Sequence, residues 1–380
     1  MTTHVFIVDE NTFKYHLEYL FAGTGSKENK IDFNNSQTSS LHHSTESSLI
    51  GLMADGCRVR KDDLIIFYLQ ASWQHEGTFF GTFQAVADGI FLDNYSPRQF
   101  LLKKLCKSLT FRLLIKPYEV YREGVTEWEA LDEIKGLTSP NQMLWSLIYR
   151  KLKGNRGNTM ITIYESERLI DLLRKKNKFK YFAKNIKDFS YDCDTNSIIS
   201  INNHFQYTGL QTPINIIPRL INKYNSGKAF EAHLQMYITQ NLGLGTNLTL
   251  ERALGITNKE VEWLGNEVSC GVGMQRIDVM FSIEESKSKR MLYPIELKAV
   301  GAYEDNTRQL NRYIDWLEQY YIPNRISIIQ PVLICKKDYP LSDELKSNFH
   351  NFNKRNGILP LIYIEFEITN NNIIFNTVRY

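Results

Sequence analysis

The sequence predicts two domains, of mixed α/β and α+β class. Three observations carry this. The first half, to about Asn177, is dominated by short runs of β-branched and aromatic residues. The second half alternates helical and strand patterns, as an α/β domain does. Between them, residues 178–226 are Asn-rich and irregular. A chain of 380 residues also has room for two or three cores.

Each element has a local reason. "HVFIVDE", "DLIIFYL", "GTFFGTFQAV", "FRLLIKPYEVY" and "TMITIYE" predict strands. "TFKYHLEYLFA" predicts a helix closed by Gly23. "SPNQMLWSLIYRKL" predicts another, opened by Ser139 and Pro140, and "SERLIDLLRKKN" a third capped by Ser166. "ENKIDFNNSQTSSLHHSTESS" is polar and Ser-rich and predicts a loop, in which His42 and His43 are solvated. Within the connecting segment, "NIKDFSYDCDTNSIISINNHF" allows a short hairpin. In the second half, "GKAFEAHLQMYITQNL" predicts an amphipathic helix stopping near Gly243. "QRIDVMFSIEE" and "MLYPIELKAV" predict strands joined by a charged turn. "NTRQLNRYIDWLEQYY" predicts a helix ending before Pro323, and the nearly all-apolar "SIIQPVLICKK" a central buried strand. "LSDELKSNFHNFNKRNG" and "LIYIEFEI" complete the pattern.

Composition narrows the function classes. The chain is 43% hydrophobic and 23% charged, with no apolar run long enough for a membrane helix. The N-terminus lacks a basic region and cleavage site, so a cytoplasmic protein is expected. Cys57, Cys106, Cys193, Cys270 and Cys335 are scattered with no CxxC pair, which predicts free thiols. Net charge is only +3, yet residues 150–188 hold twelve Lys or Arg against four acids. Such a stretch either tracks phosphates or forms a solvated helix face.

The most chemical stretch is "PIELKAV". Period two along a strand puts Glu296 and Lys298 on one face. If the strand bearing Asp278 is its neighbour, two carboxylates converge and require a counter-charge. Mg²⁺ is the usual one, taking carboxylate and carbonyl oxygens and leaving positions for water and phosphate. Lys298 beside it would orient the water or stabilise charge on phosphorus. The plainer alternative is a Glu296–Lys298 salt bridge.

The segment from about Gly227 to Lys337 resembles the PD-(D/E)xK nuclease superfamily, within it the RecB and archaeal NucS clade. Four pieces occur in the family's order: Glu231 in "GKAFEAHL", Asp278 in "GMQRIDVMF", Glu296 and Lys298 in "PIELKAV", and Gln309 and Tyr313 in "RQLNRY". Ile277 stands where the family's name has Pro. The resemblance implies a restriction-endonuclease-like mixed sheet flanked by helices over residues 227–380. It implies that Asp278, Glu296 and the Leu297 carbonyl hold Mg²⁺ (with Mn²⁺ able to substitute), and that Lys298 acts on the attacking water. Glu231 would assist, while Gln309 and Tyr313 brace the site. Arg308 and Arg312, on the same helix, are candidate phosphate contacts.

Residues 4–173 resemble the PUA-like superfamily, specifically EVE and YTH-type domains. "VRKDDLIIFYLQ", "EGTFFGTFQAVADGIF", "LTFRLLIKPYEVYREGVTEWEAL" and "RGNTMITIYESERLIDLL" carry the likeness. It implies a β-barrel with helices over residues 1–177 that binds nucleic acid and holds a flipped, modified base between aromatic rings. Trp73, in the polar loop "QASWQHEG", is the leading pocket candidate, with Tyr68, Phe79 and Phe83 nearby. For those three, alternating along strands, a place in the core is the plainer reading. Trp128 and Trp145 read as core residues, and Arg156 as a phosphate contact or an ordinary surface Arg.

Joined, the two halves predict a modification-dependent endonuclease on double-stranded DNA, using Mg²⁺ and acting as a homodimer. The alternatives are a NucS-like nuclease for mismatched or branched DNA, and a nucleic-acid-binding module with an inactive nuclease fold.

Overall fold

The structure, a computed structural model, describes residues 1–25, 43–93, 98–132, 137–144, 146, 157–228, 230–270, 275–286, 289–322, 327–338, 340–369 and 372–380. The chain divides into two compact units. The first comprises Met1–Asp32 and Asp55–Ile214, the second Phe33–Ala54 and Asn215–Tyr380. Among the described residues, no helix is long and apolar enough to cross a membrane.

The strands of the first unit are β1 (Thr3–Val8), β2 (Phe21–Thr24), β3 (Leu64–Leu69), β4 (Thr78–Ala85), β5 (Phe91–Leu92), β6 (Phe111–Pro117), β7 (Val125–Thr126), β8 (Asn158–Ile161), β9 (Phe189–Asp192), β10 (Ser197–Ser200) and β11 (Thr212–Pro213). One sheet runs β11-β5-β6-β4-β3-β1-β8, with β2 joined to β6 and β7 to β4, and curls into a half-barrel. β1 and β3 pair in parallel, whereas β1 with β8, β3 with β4 and β4 with β6 are antiparallel. β3 is buried along its whole length, as its unbroken apolar run LIIFYL requires. β9 and β10 form the hairpin allowed by the connecting segment.

Helices are α1 (Glu10–Glu18), α2 (His43–Cys57), α3 (Leu102–Leu105), α4 (Glu127–Asp132) and α5 (Ile163–Lys176). Asp9 caps α1 by accepting from the Thr12 amide. The helix stops at Tyr19, and Gly23 lies in β2 rather than at a helix end. α5 begins one turn earlier than Ser166 predicts. Thr162 and Glu165 form a reciprocal capping box, whereas Ser166 is buried against the Thr3 hydroxyl. Ser139 and Pro140 open only a short 3₁₀ turn, Pro140–Gln142; Trp145 lies outside the described residues. So does His42, and nothing is described of the His43 side chain.

The second unit holds helices α6 (Ile217–Asn225), α7 (Glu231–Asn241), α8 (Leu248–Leu254), α9 (Asp305–Trp316) and α10 (Asp343–Phe352). Its strands are β12 (Trp263–Ser269), β13 (Arg276–Ser286), β14 (Lys289–Lys298), β15 (Ile328–Ile329), β16 (Val332–Lys336), β17 (Ile362–Thr369) and β18 (Asn372–Thr377). They form one mixed sheet, β12-β13-β14-β16-β17-β18, with β15 against β14. β16 is central and parallel to both neighbours.

The early segment contributed by α2 is tied into this unit by charge. Buried Glu46 accepts hydrogen bonds from Arg219 Nε (2.7 Å) and His233 Nε2 (2.8 Å) and pairs with Lys223 Nζ at 2.8 Å. Burial alone would raise the Glu46 carboxyl, but these three partners outweigh it and hold it far below the usual carboxylate range.

Candidate active site

The site forms where β13 and β14 part. Their last cross-strand pair in this direction is Val279–Ile295. Asp278 and Glu296 stand just beyond it, and the Asp278 carbonyl accepts from Gln235 Nε2 on α7 at 2.7 Å. Asp278 Oδ2 in turn accepts the Leu297 amide at 2.9 Å, so the aspartate side chain reaches across to β14. Glu296 is almost fully buried, 1% exposed. Its Oε2 accepts from Tyr313 OH at 2.6 Å, and its Oε1 lies 2.5 Å from Lys298 Nζ. Glu231, in the first turn of α7, leaves much of its surface open while its carboxylate accepts the Ala299 amide.

The electrostatics follow from crowding. Burial, then the charge of Glu296, push the Asp278 carboxyl well above its ordinary value; Glu231 adds to the rise, against the Leu297 amide and Lys298. Burial raises Glu231 as well, with Lys298 opposing and Glu296 reinforcing. Burial alone would lower the Lys298 ammonium, but Glu296, Glu231 and Asp278 together hold it above its usual value. The Tyr313 hydroxyl is raised by burial and by Glu296, so it remains a proton donor. Three carboxyl groups thus crowd around one ammonium. That donor set, all carboxylate oxygen, suits a hard divalent cation rather than a soft one.

The fit has a condition. The three carboxylates do not all lie within 4.8 Å of one another, whereas one other group of ligand-type side chains among the described residues does. Both Glu296 oxygens also have partners, so the plainer alternative, the Glu296–Lys298 salt bridge, is present. For Glu296 to hold a cation, Lys298 on its flexible stem is the partner that can move.

The other candidate residues separate. Gln309 is half-buried one turn before Tyr313 on α9. Leu297 is buried between Glu296 and Lys298, its side chain on the opposite face of β14. Arg308 is exposed and pairs with Asp305 at 2.9 Å, while Arg312 is exposed and near enough to buried Cys270 to influence it. Arg156 lies outside the described residues.

The four aromatic pocket candidates do not converge. Tyr68 and Phe79 are cross-strand partners in the core beneath α5, ring centroids 4.9 Å apart. Phe83 lies on the other sheet face, against Phe67 and Phe189. The cause is a register shift between Ile65 and Phe67, which reverses the alternation along β4. Trp73 alone is fully exposed. Trp128 is also exposed rather than core, and lines a depression of about 450 Å³ with Leu172, Lys175 and Lys176.

Sequence reasoning missed Gln235, although it lies four residues after Glu231 and therefore on the same helix face. No family model matches the chain, and no curated protein matches it.

Proposed function

We propose that this chain is a Mg²⁺-dependent endodeoxyribonuclease of the PD-(D/E)xK type. One observation carries the proposal: Asp278, Glu296 and Lys298, from adjacent strands, meet at the point where the strands part, with Glu231 beside them and Tyr313 on Glu296. Asp278 and Glu296, with the Leu297 carbonyl, would hold the cation. Bound there, Mg²⁺ would supply Lewis acidity to a water and charge neutralisation at the scissile phosphate.

The chain's own residues do the rest. Gln235 fixes the backbone that aims Asp278, and Tyr313 fixes Glu296. Lys298, released from Glu296, orients the attacking water and faces the charge that develops on phosphorus. Glu231 would assist from beside the site, its carboxyl raised by burial and by the charge of Glu296. In-line attack leaves 5′-phosphate and 3′-hydroxyl ends. Cutting both strands requires two such sites, hence a homodimer on DNA.

For the first unit, the arrangement of aromatics favours a grip on DNA over a closed base cage. Trp73 and Trp128 are exposed singly; beside Trp128, Lys175 pairs with Asp171 and Lys176 with Glu129. An exposed ring on which a base can stack suits strand binding. A nuclease acting on mismatched or branched DNA is therefore the second reading. Incubation with Mg²⁺ and unmodified, methylated, hydroxymethylated and mismatched duplexes separates the two. Cutting confined to modified DNA supports the modification-dependent reading, and cutting of mismatches the second. Binding without cutting, unchanged by Lys298→Ala, would refute both.

A further inference from the structure

The first unit contains a second constellation. Glu10 at the start of α1, His75 in the loop between β3 and β4, and Cys193 in the turn of the β9–β10 hairpin bring one ligand atom each within 4.8 Å of one another. All three are half-buried. Cys193 Sγ lies 3.8 Å from His75 Nε2, and the thiol donates to Glu10 Oε1. Gln74 Oε1 is also 3.8 Å from the sulfur.

We propose that Glu10, His75 and Cys193 form a site for a Zn²⁺-class divalent cation, which ties the Trp73 loop to α1 and to the hairpin. The sulfur–nitrogen separation supports this. Zinc bonds of about 2.3 Å to sulfur and 2.0–2.1 Å to nitrogen at a tetrahedral angle place the two ligand atoms about 3.6 Å apart. The observed Sγ–Nε2 distance of 3.8 Å is close to that. On binding, the thiol loses its proton to solvent, its hydrogen bond to Glu10 opens, and both atoms turn to the metal. Gln74 or a water completes the set. Thiolate and imidazole select a borderline-soft ion; Mg²⁺ is excluded by the same chemistry that suits it to the all-carboxylate site.

The three ligands come from segments separated by 65 and 118 residues in sequence (75 − 10 and 193 − 75), so a bound ion acts as a clip. The loop it fixes is otherwise held by its own turn, with the Ser72 amide donating to the His75 carbonyl at 2.8 Å and the Gln74 and His75 amides donating to Ser72 Oγ. The proposal is independent of the nuclease reading, because its ligands and its readout lie in the first unit.

Titration of the chelator-treated full chain with Co²⁺ tests it. The expected result is a near-ultraviolet thiolate-to-cobalt band that saturates at one equivalent, with strong tetrahedral ligand-field absorption, both displaced by Zn²⁺. Cys193→Ser abolishes the band, whereas Cys106→Ser, at an exposed thiol, leaves it. Glu10→Gln, which keeps the thiol, weakens affinity by roughly tenfold or more. Limited proteolysis with Zn²⁺ protects the loop in the wild type and not in Cys193→Ser. A missing sulfur band in a folded wild type, a band that survives Cys193→Ser, or affinity unchanged by Glu10→Gln would overturn the proposal.

Discussion

Replacing Lys298 with Met removes the ammonium around which three carboxyl groups crowd and keeps the length of the stem. At 2.5 Å from Glu296 Oε1, with an effective dielectric of about 20, the attraction is about 6–7 kcal/mol. The ammonium recovers part of that as hydration when the pair is broken. Removing one partner of a buried pair costs about 3–5 kcal/mol. Lys298 is 11% exposed and Glu296 1%, so the lower end applies, about 3 kcal/mol in metal-free protein. With an m-value of about 2 kcal/mol/M, the urea midpoint of the second unit falls by about 1.5 M. Two controls follow from the same reasoning. Glu296→Gln in the Lys298→Met background recovers much of the loss, because it removes the unpaired charge. Mg²⁺ stabilises the variant more than the wild type, because it restores the counter-charge. DNA cleavage falls about 10²–10⁴-fold. The reasoning is refuted if the metal-free midpoint hardly moves, or if Glu296→Gln adds a loss of its own in that background.

Tyr313→Phe leaves a buried carboxylate oxygen without its donor; about 1–3 kcal/mol of stability is lost by urea titration, and cleavage drops with substrate binding retained. Trp73→Ala changes stability by less than about 0.5 kcal/mol, since the ring touches solvent, but weakens DNA binding in a filter or anisotropy assay; Phe79→Ala costs about 3–5 kcal/mol in the core. His16, buried and bonded to the Phe21 carbonyl, has its imidazole pushed down to about 4, by burial first and by Arg112 as well. The folded state therefore binds fewer protons than the unfolded state between pH 6.5 and about 4, so this contribution is complete above 6.5 and lost as pH falls through that window. From 6.5 to about 4, at 1.36 kcal/mol per unit, the wild type loses about 3 kcal/mol more than His16→Asn, read as the difference of their urea midpoints at pH 7 and 4.

The strands were legible where side chains repeat a physical rule. The runs in β3, β13, β14 and β16 are β-branched or aromatic and flanked by turns, and period two alone placed Glu296 with Lys298. α2 was not legible, because Gly51, Gly56 and a run of serines read as loop. β12 was hidden by Gly265 and by the polar pair Asn266 and Glu267. Gln235 serves a backbone carbonyl, and such a partner leaves no pattern in sequence. The core reading of Tyr68, Phe79 and Phe83 holds, since all three are buried, but their division between two faces was not legible. One irregularity in register separates Phe79 from Phe83, and no spacing rule reports it.

The hydrogen bonds of Glu46 also set an order of events during synthesis. Its partners Arg219 and His233 follow it by 173 and 187 residues. At ribosomal rates of about 5–20 residues per second, Glu46 waits roughly ten to forty seconds for them. The first unit must therefore take shape around a stretch that belongs elsewhere. A fragment beginning at Asn215 would have to bury Arg219, Lys223 and His233 without the Glu46 carboxylate, so a second unit expressed without the early segment is expected to gain stability when that peptide is supplied in trans.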